Sequence, residues 1–150
     1  MTLTKRLMPL EEMQKIVIDT NVLVSALIQK GYPYHILTSA FNDSQIQICI
    51  SKDLFGEYFD VFNRPRFSKY PDFLANASAL LSHIESIAVF YNPEVKLNII
   101  KDADDNKLLE LAETAKAQYL ITGNTNDFIM KSYKDTQIVT PKEYWEEYSK

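Results

Sequence analysis

The sequence predicts an α/β fold, a three-layer α/β/α sandwich built on a central, mostly parallel sheet. Short apolar or β-branched runs at 15–18, 46–50 and 119–122 alternate with segments of helical periodicity. That alternation makes a parallel sheet covered by helices on both faces. The 150 residues include only three glycines, with no repeat, low-complexity tract or Gly/Pro/Ser-rich linker. A single domain over 15–150 behind a tail of residues 1–14 follows from this.

The first strand, Lys15-Ile16-Val17-Ile18, ends abruptly at Asp19-Thr20-Asn21, three residue types that favour helix caps. A helix is predicted from Val22 to Gln29, stopping at Gly31, and a second over 33–41. Residues 46–50 form the next strand, and Ser51 is placed to cap a helix over 52–63. On that helix Leu54, Phe55, Tyr58, Phe59 and Phe62 recur at helical spacing and predict a core-facing stripe. Arg64-Pro65 breaks it, because proline and the residue before it resist helical geometry. A helix over 71–84, a strand near 87–90 and a loop through Pro93 come next. Asp102-Ala103-Asp104-Asp105 opens a helix ending near Lys116, and the strand 119–122 runs into Gly123-Asn124. A short helix is expected over 126–132 and a last strand over 137–139. Thr140-Pro141-Lys142-Glu143 has the features of a capping box and starts the terminal helix.

Composition narrows the function classes. At 46% hydrophobic and 24% charged the chain is globular in composition, not disordered. Its single cysteine, Cys49, cannot form an internal disulfide and reads as a buried core residue of a reducing compartment. Residues 1–14 lack the apolar stretch of a signal peptide and no run reaches membrane-span length, so a cytoplasmic location is expected. The net charge of −4 argues against a broadly basic nucleic-acid surface. Carboxylates clustered around a cation would add to that count, and the bound ion reverses it locally.

Ligands in such folds bind beyond the carboxyl ends of the strands, where Asp19, Ser51, Thr122 and Asn124 all fall. Thr20 and Asn21 leave Asp19 redundant as a cap and available to a site. One carboxylate satisfies a helix start, whereas Asp102, Asp104 and Asp105 together repel one another unless a cation is near. Asp102 is the natural cap, leaving Asp104 or Asp105 to project into the site. Glu57 lies three residues after Leu54 and four before Val61, beside the buried face, where a carboxylate is costly unless paired or ion-bound. In Thr122-Gly123-Asn124 the glycine lets the backbone approach a ligand, and the hydroxyl and amide can bind water. Arg64, Arg66 and Lys69 are a compact basic patch suited to a phosphate backbone. His35 and His83 have no metal-ligand partner at short spacing, and zinc patterns, P-loops, dinucleotide fingerprints and nucleophile elbows are absent. A receiver domain would need an acid at the end of the third strand, where Phe90-Tyr91-Asn92 stands. A haloacid-dehalogenase-like phosphatase would need one where Asn21 stands.

Five landmarks in order resemble the PIN-domain family, most closely its bacterial branch of toxin components in toxin–antitoxin systems. They are the run from Val17 to Ala26; Ser51 followed by Glu57; Arg64-Pro65-Arg66-Phe67; Asp102 to Asn106 leading to Leu111-Ala112; and Thr122-Gly123-Asn124 followed by Asp127-Phe128. Matched motif by motif, the family's first acid falls on Asp19 and its second on Glu57. Its third falls on Asp105, with Ala112 seven positions later. The fourth, commonly aspartate, is Asn124 here, which can coordinate through its carbonyl oxygen but brings no charge. Asp102 and Asp127 are outer positions, supported by Thr20, Asn21, Ser51 and Thr122. The resemblance implies an endoribonuclease that uses Mg²⁺ or Mn²⁺ to cut single-stranded RNA, with a cognate antitoxin partner and a homodimeric state. The alternative is a non-catalytic PIN-like binding or scaffold domain.

Overall fold

Ile16, Val17 and Ile18 are all buried to within 1% of full coverage, although alternate side chains of a strand point to opposite faces. Both faces are therefore covered, as in a central parallel strand. The computed structural model, which describes residues 13–123, 128 and 130–148, gives the reason. The strand β1 (Gln14–Ile18) lies inside a six-stranded sheet, between β2 (Ile46–Ser51) and β4 (Tyr119–Ile121). Beyond them lie β3 (Val89–Tyr91), β5 (Ser132–Tyr133) and β6 (Thr136–Val139), in the order β3-β2-β1-β4-β6-β5. Every pairing is parallel except β5 with β6. Ile16 sits opposite Ile48 of β2 and Ile18 opposite Ile121 of β4.

The helices are α1 (Thr20–Ile28), α2 (Tyr32–Asn42), α3 (Lys52–Phe62), α4 (Phe73–Ile87), α5 (Ala103–Ala115) and α6 (Pro141–Tyr148). α5 packs along β1, β2, β3 and β4, whereas α6 packs on β4, β6 and α2. The three-layer α/β/α arrangement is the one expected. The capping box is also present: Thr140 N–H donates to Glu143 at 2.8 Å, and Glu143 N–H to the Thr140 hydroxyl at 3.0 Å.

Three expectations need correction. Gln14, placed in the tail, is the first residue of β1 and pairs with Ile46. The helix expected over 126–132 lies partly outside the described residues, and within them Ser132 begins a strand instead. Lys134, at φ 52°, turns the chain back into β6. Tyr133 and Lys134 tie this hairpin to Glu113 of α5 at 2.7 and 3.2 Å. Finally, Phe59 is 56% exposed and not in the core. On α3 the buried face is Leu54, Tyr58, Val61 and Phe62, a helical i, i+4, i+7, i+8 set. Phe55 and Phe59 are rotated off it, and Phe55 rests half-buried against Phe90.

Candidate active site

From β1 the chain builds outward through β2 to β3, then returns to the other side of β1 at β4. The crevice between the ends of β1 and β4 is the point where the strand order reverses, the usual ligand position in open parallel sheets. Asp19 and Thr122 are the residues that step off these two strands. The Asp19 N–H donates to the Ile121 carbonyl at 2.9 Å, and the Thr122 hydroxyl donates to Asp19 Oδ2 at 2.8 Å. Asp19 stands at the cap position of α1 but makes no side-chain cap bond. Thr20 and Asn21, expected as caps, belong to the helix itself.

Thr20 has another task. Its buried hydroxyl donates to Glu57 Oε2, so the first turn of α1 reaches across to the second turn of α3. The placement of Glu57 depends on two further contacts. Ser51 Oγ accepts from Leu54 N–H at 3.1 Å, setting the start of α3. The buried Tyr58 hydroxyl donates to the Ile18 carbonyl at 2.6 Å, locking α3 to the end of β1.

The third group comes from α5. Asp102 Oδ1 accepts from Asp104 N–H at 2.9 Å, as expected of the cap. Asp104 is exposed, whereas Asp105 is buried. The loop before this helix is held by a residue whose role the motifs did not disclose. Asn106 is 4% exposed; its Oδ1 accepts from the amides of Ile99 and Ile100 at 3.0 and 2.9 Å. Its Nδ2 donates to the carbonyls of Ile100 and Asp102 at 2.6 and 3.3 Å. One turn on, Glu110 accepts from Leu97 N–H at 2.9 Å. Buried polar side chains on an otherwise apolar helix face were the available signal. Asn124 and Asp127 lie outside the described residues.

Charge repulsion links Asp19 with Asp102, and Glu57 with Asp104 and Asp19. Burial pushes the Asp19 carboxyl up from its ordinary value of 3.8, the Thr122 hydroxyl and the amides of Thr20 and Asn21 pull it back, and the charge of Asp102 adds to the rise. Burial likewise raises Glu57 above 4.5; Thr20 and Arg64 oppose the rise, while Asp104 and Asp19 reinforce it. Among the described residues no three His, Cys, Asp or Glu side chains stand grouped ready to hold an ion. Glu57 is turned onto Thr20 and Asp19 onto Thr122. The donors are nevertheless all oxygens, negatively charged and mutually repelling, which suits a hard divalent cation.

The sign of the pH dependence follows. Both folded carboxyls titrate above their unfolded values, so the metal-free fold holds extra protons in the window between the two. Stability present below that window is lost as pH rises through it. Thermal melts of chelator-treated protein should therefore fall from mildly acidic to neutral buffer, and divalent cation at neutral pH should raise the melt again. A melt that rises towards neutrality and ignores added Mn²⁺ contradicts this arrangement of charge.

Between α3 and α5 runs an open cleft of about 650 Å³ whose walls include Glu57, Arg64, Asp104 and Lys107. Arg64 thus joins the acids. Arg66 and Lys69 do not line the cleft; they lie over the rings of Phe67 and Tyr70, at 4.8 and 5.4 Å from the centroids.

An acidic centre at the switch point of a parallel sheet, beside an open cleft, describes a protein whose site suits a hard cation. Sequence comparison names the group. A sequence model for the PIN domain matches residues 15–126, a span holding Asp19, Glu57, Asp105 and Asn124. An uncharacterized protein of Methanocaldococcus jannaschii is 32% identical over 145 residues, covering 91% of this chain and 92% of its own length. The chain belongs to the PIN domain family. PIN domains are generally nucleases and typically use divalent metal ions. Among the described residues, no helix is long and apolar enough to cross a membrane.

Proposed function

We propose that the chain is an endoribonuclease that depends on Mg²⁺ or Mn²⁺ and hydrolyses phosphodiester bonds of single-stranded RNA. One observation carries the reading: Asp19 is a buried carboxylate at the switch point, oriented by the Thr122 hydroxyl. Asp19, Glu57 and Asp105 would hold the ion, with Asn124 as a neutral fourth donor and Asp102 and Asp127 outside them. A bound ion supplies charge stabilisation at the phosphate and a lowered pKa for an attacking water. The remaining work belongs to the chain. Thr122 fixes the Asp19 carboxylate, and the Thr20 hydroxyl holds the Glu57 carboxylate against the start of α1, beside Asp19. The caps Ser51 and Asp102 set where α3 and α5 begin, and therefore where Glu57 and Asp105 stand. Arg64, on the cleft wall, would contact the phosphates, with Arg66 and Lys69 outside the cleft as further basic groups.

A cytoplasmic location, a toxin role with a cognate antitoxin and a homodimer belong to the same reading and rest on the motif resemblance. The direct experiment incubates purified chain with end-labelled single-stranded RNA and Mn²⁺. Internal cuts that stop on chelation are expected. Intact RNA under both Mg²⁺ and Mn²⁺ transfers the case to a non-catalytic PIN-like binding or scaffold domain.

A further inference from the structure

The cleft between α3 and α5 shares Glu57 with the acidic centre, and Leu54, Leu108 and Leu111 are among its lining residues. Gly56, on α3, also lines it. A glycine inside a helix lowers its stability, because it frees the unfolded backbone and contributes no side chain. Such a residue usually spares a close contact within the fold. Here a Cβ on Gly56 would meet nothing within 4 Å, so no internal contact calls for it. What the missing side chain does preserve is open space on the cleft wall. Lys52, in the first turn of α3, and Lys107, on α5, also line the cleft. Both are exposed, and neither is in an ion pair among the described residues. Lys52 and Gly56 line the cleft from α3, and Lys107 lines it from α5.

We propose that this cleft seats the sugar–phosphate backbone of the RNA strand leading into the acidic centre. Lys52 and Lys107 contact phosphates from either wall, and Gly56 admits the backbone against α3. The assignment rests on the nuclease reading, because Glu57 belongs both to the cleft and to the centre. Asp53, Asp60 and Asp104 also face the cleft, so a polyanion seats there only when divalent cation offsets them.

The test measures binding of fluorescein-labelled single-stranded RNA by anisotropy, with Ca²⁺ replacing Mn²⁺ and the RNA checked intact on a gel. Gly56→Ala should melt no lower than the parent, and Gly56→Leu should bind about tenfold or more weakly while remaining folded. Lys52→Ala with Lys107→Ala should weaken binding similarly and reduce the slope of log affinity against log salt by about 1.4, at roughly 0.7 per phosphate contact on a single strand. Lys142→Ala, on α6, removes the same charge outside the cleft and should bind as the parent does. Parental binding by Gly56→Leu and by the double lysine variant overturns the proposal, as does failure of the parent protein to bind RNA. Cutting that survives in both cleft variants with unchanged KM overturns the cleft alone. Cleft-dependent binding without cutting in Mn²⁺ overturns only the nuclease reading.

Discussion

Asp19→Asn should abolish RNA cleavage, by about a thousandfold or more, while leaving the metal-free protein at least as stable as the parent. The two halves of that result follow from the same carboxylate. Its charge is buried, raised in pKa by desolvation, and repelled by Asp102. Asparagine keeps the size and can still accept the 2.8 Å hydrogen bond from Thr122, but removes the charge that costs stability without a cation. Asparagine is also as good a helix cap as aspartate, so the substitution removes no capping capacity at the start of α1. For activity the charge is decisive: a neutral amide is a poorer ligand for a hard divalent ion. A thousandfold loss corresponds to about 4 kcal/mol of transition-state stabilisation, a magnitude typical of one preorganised electrostatic group. Single-turnover cleavage and thermal melts on the same preparations measure both halves. Undiminished cutting by the variant assigns the activity to a contaminant, and a large drop in melting temperature assigns Asp19 a structural role.

The layers of the fold were legible because they depend on local pattern. Apolar runs such as 46–50 can be buried on both faces only inside a parallel sheet, and caps such as Ser51, Asp102 and Thr140 act over three residues. Phe59 was misplaced because five large apolar residues on α3 span a wider arc than one helix face can bury. The hairpin at β5 escaped because Lys134 adopts φ 52° without the Asn-Gly or Asp-Gly pair that announces such a turn. For the site, position relative to strand ends marked Asp19 and Thr122, since both requirements are local. Between Asp104 and Asp105, spacing alone could not choose. Their difference in exposure comes from how α5 lies against the sheet. The link from Thr20 to Glu57 spans 37 residues and exists only after α1 and α3 have packed together.

Asn106→Ala should cost about 3 kcal/mol of stability and reduce cleavage even well below its melting temperature. Asn106 satisfies two amides, those of Ile99 and Ile100, and two carbonyls, those of Ile100 and Asp102. Alanine leaves these groups in a largely buried pocket without a side-chain partner, and each such group can cost about 1–3 kcal/mol where water cannot reach it. Relaxation of the loop recovers part of that sum, which is why the expected loss sits near the cost of one or two groups. For a chain of 150 residues the change corresponds to a fall of roughly 6–12 °C in melting temperature. Relaxation has a functional consequence. The loop ends at Asp102, whose side chain caps α5 and whose carbonyl Asn106 holds, and Asp105 is one turn inside that helix. Loosening residues 99–102 therefore unsettles the third carboxylate without touching Asp19 or Glu57. Hydrogen exchange separates this from general destabilisation: the amides of Ile99 and Ile100 should lose protection while those of β1 keep it in proportion to the global stability. Wild-type melting and wild-type cleavage in this variant would show that the loop holds its shape without Asn106, and that α5 is positioned by its packing on the sheet alone.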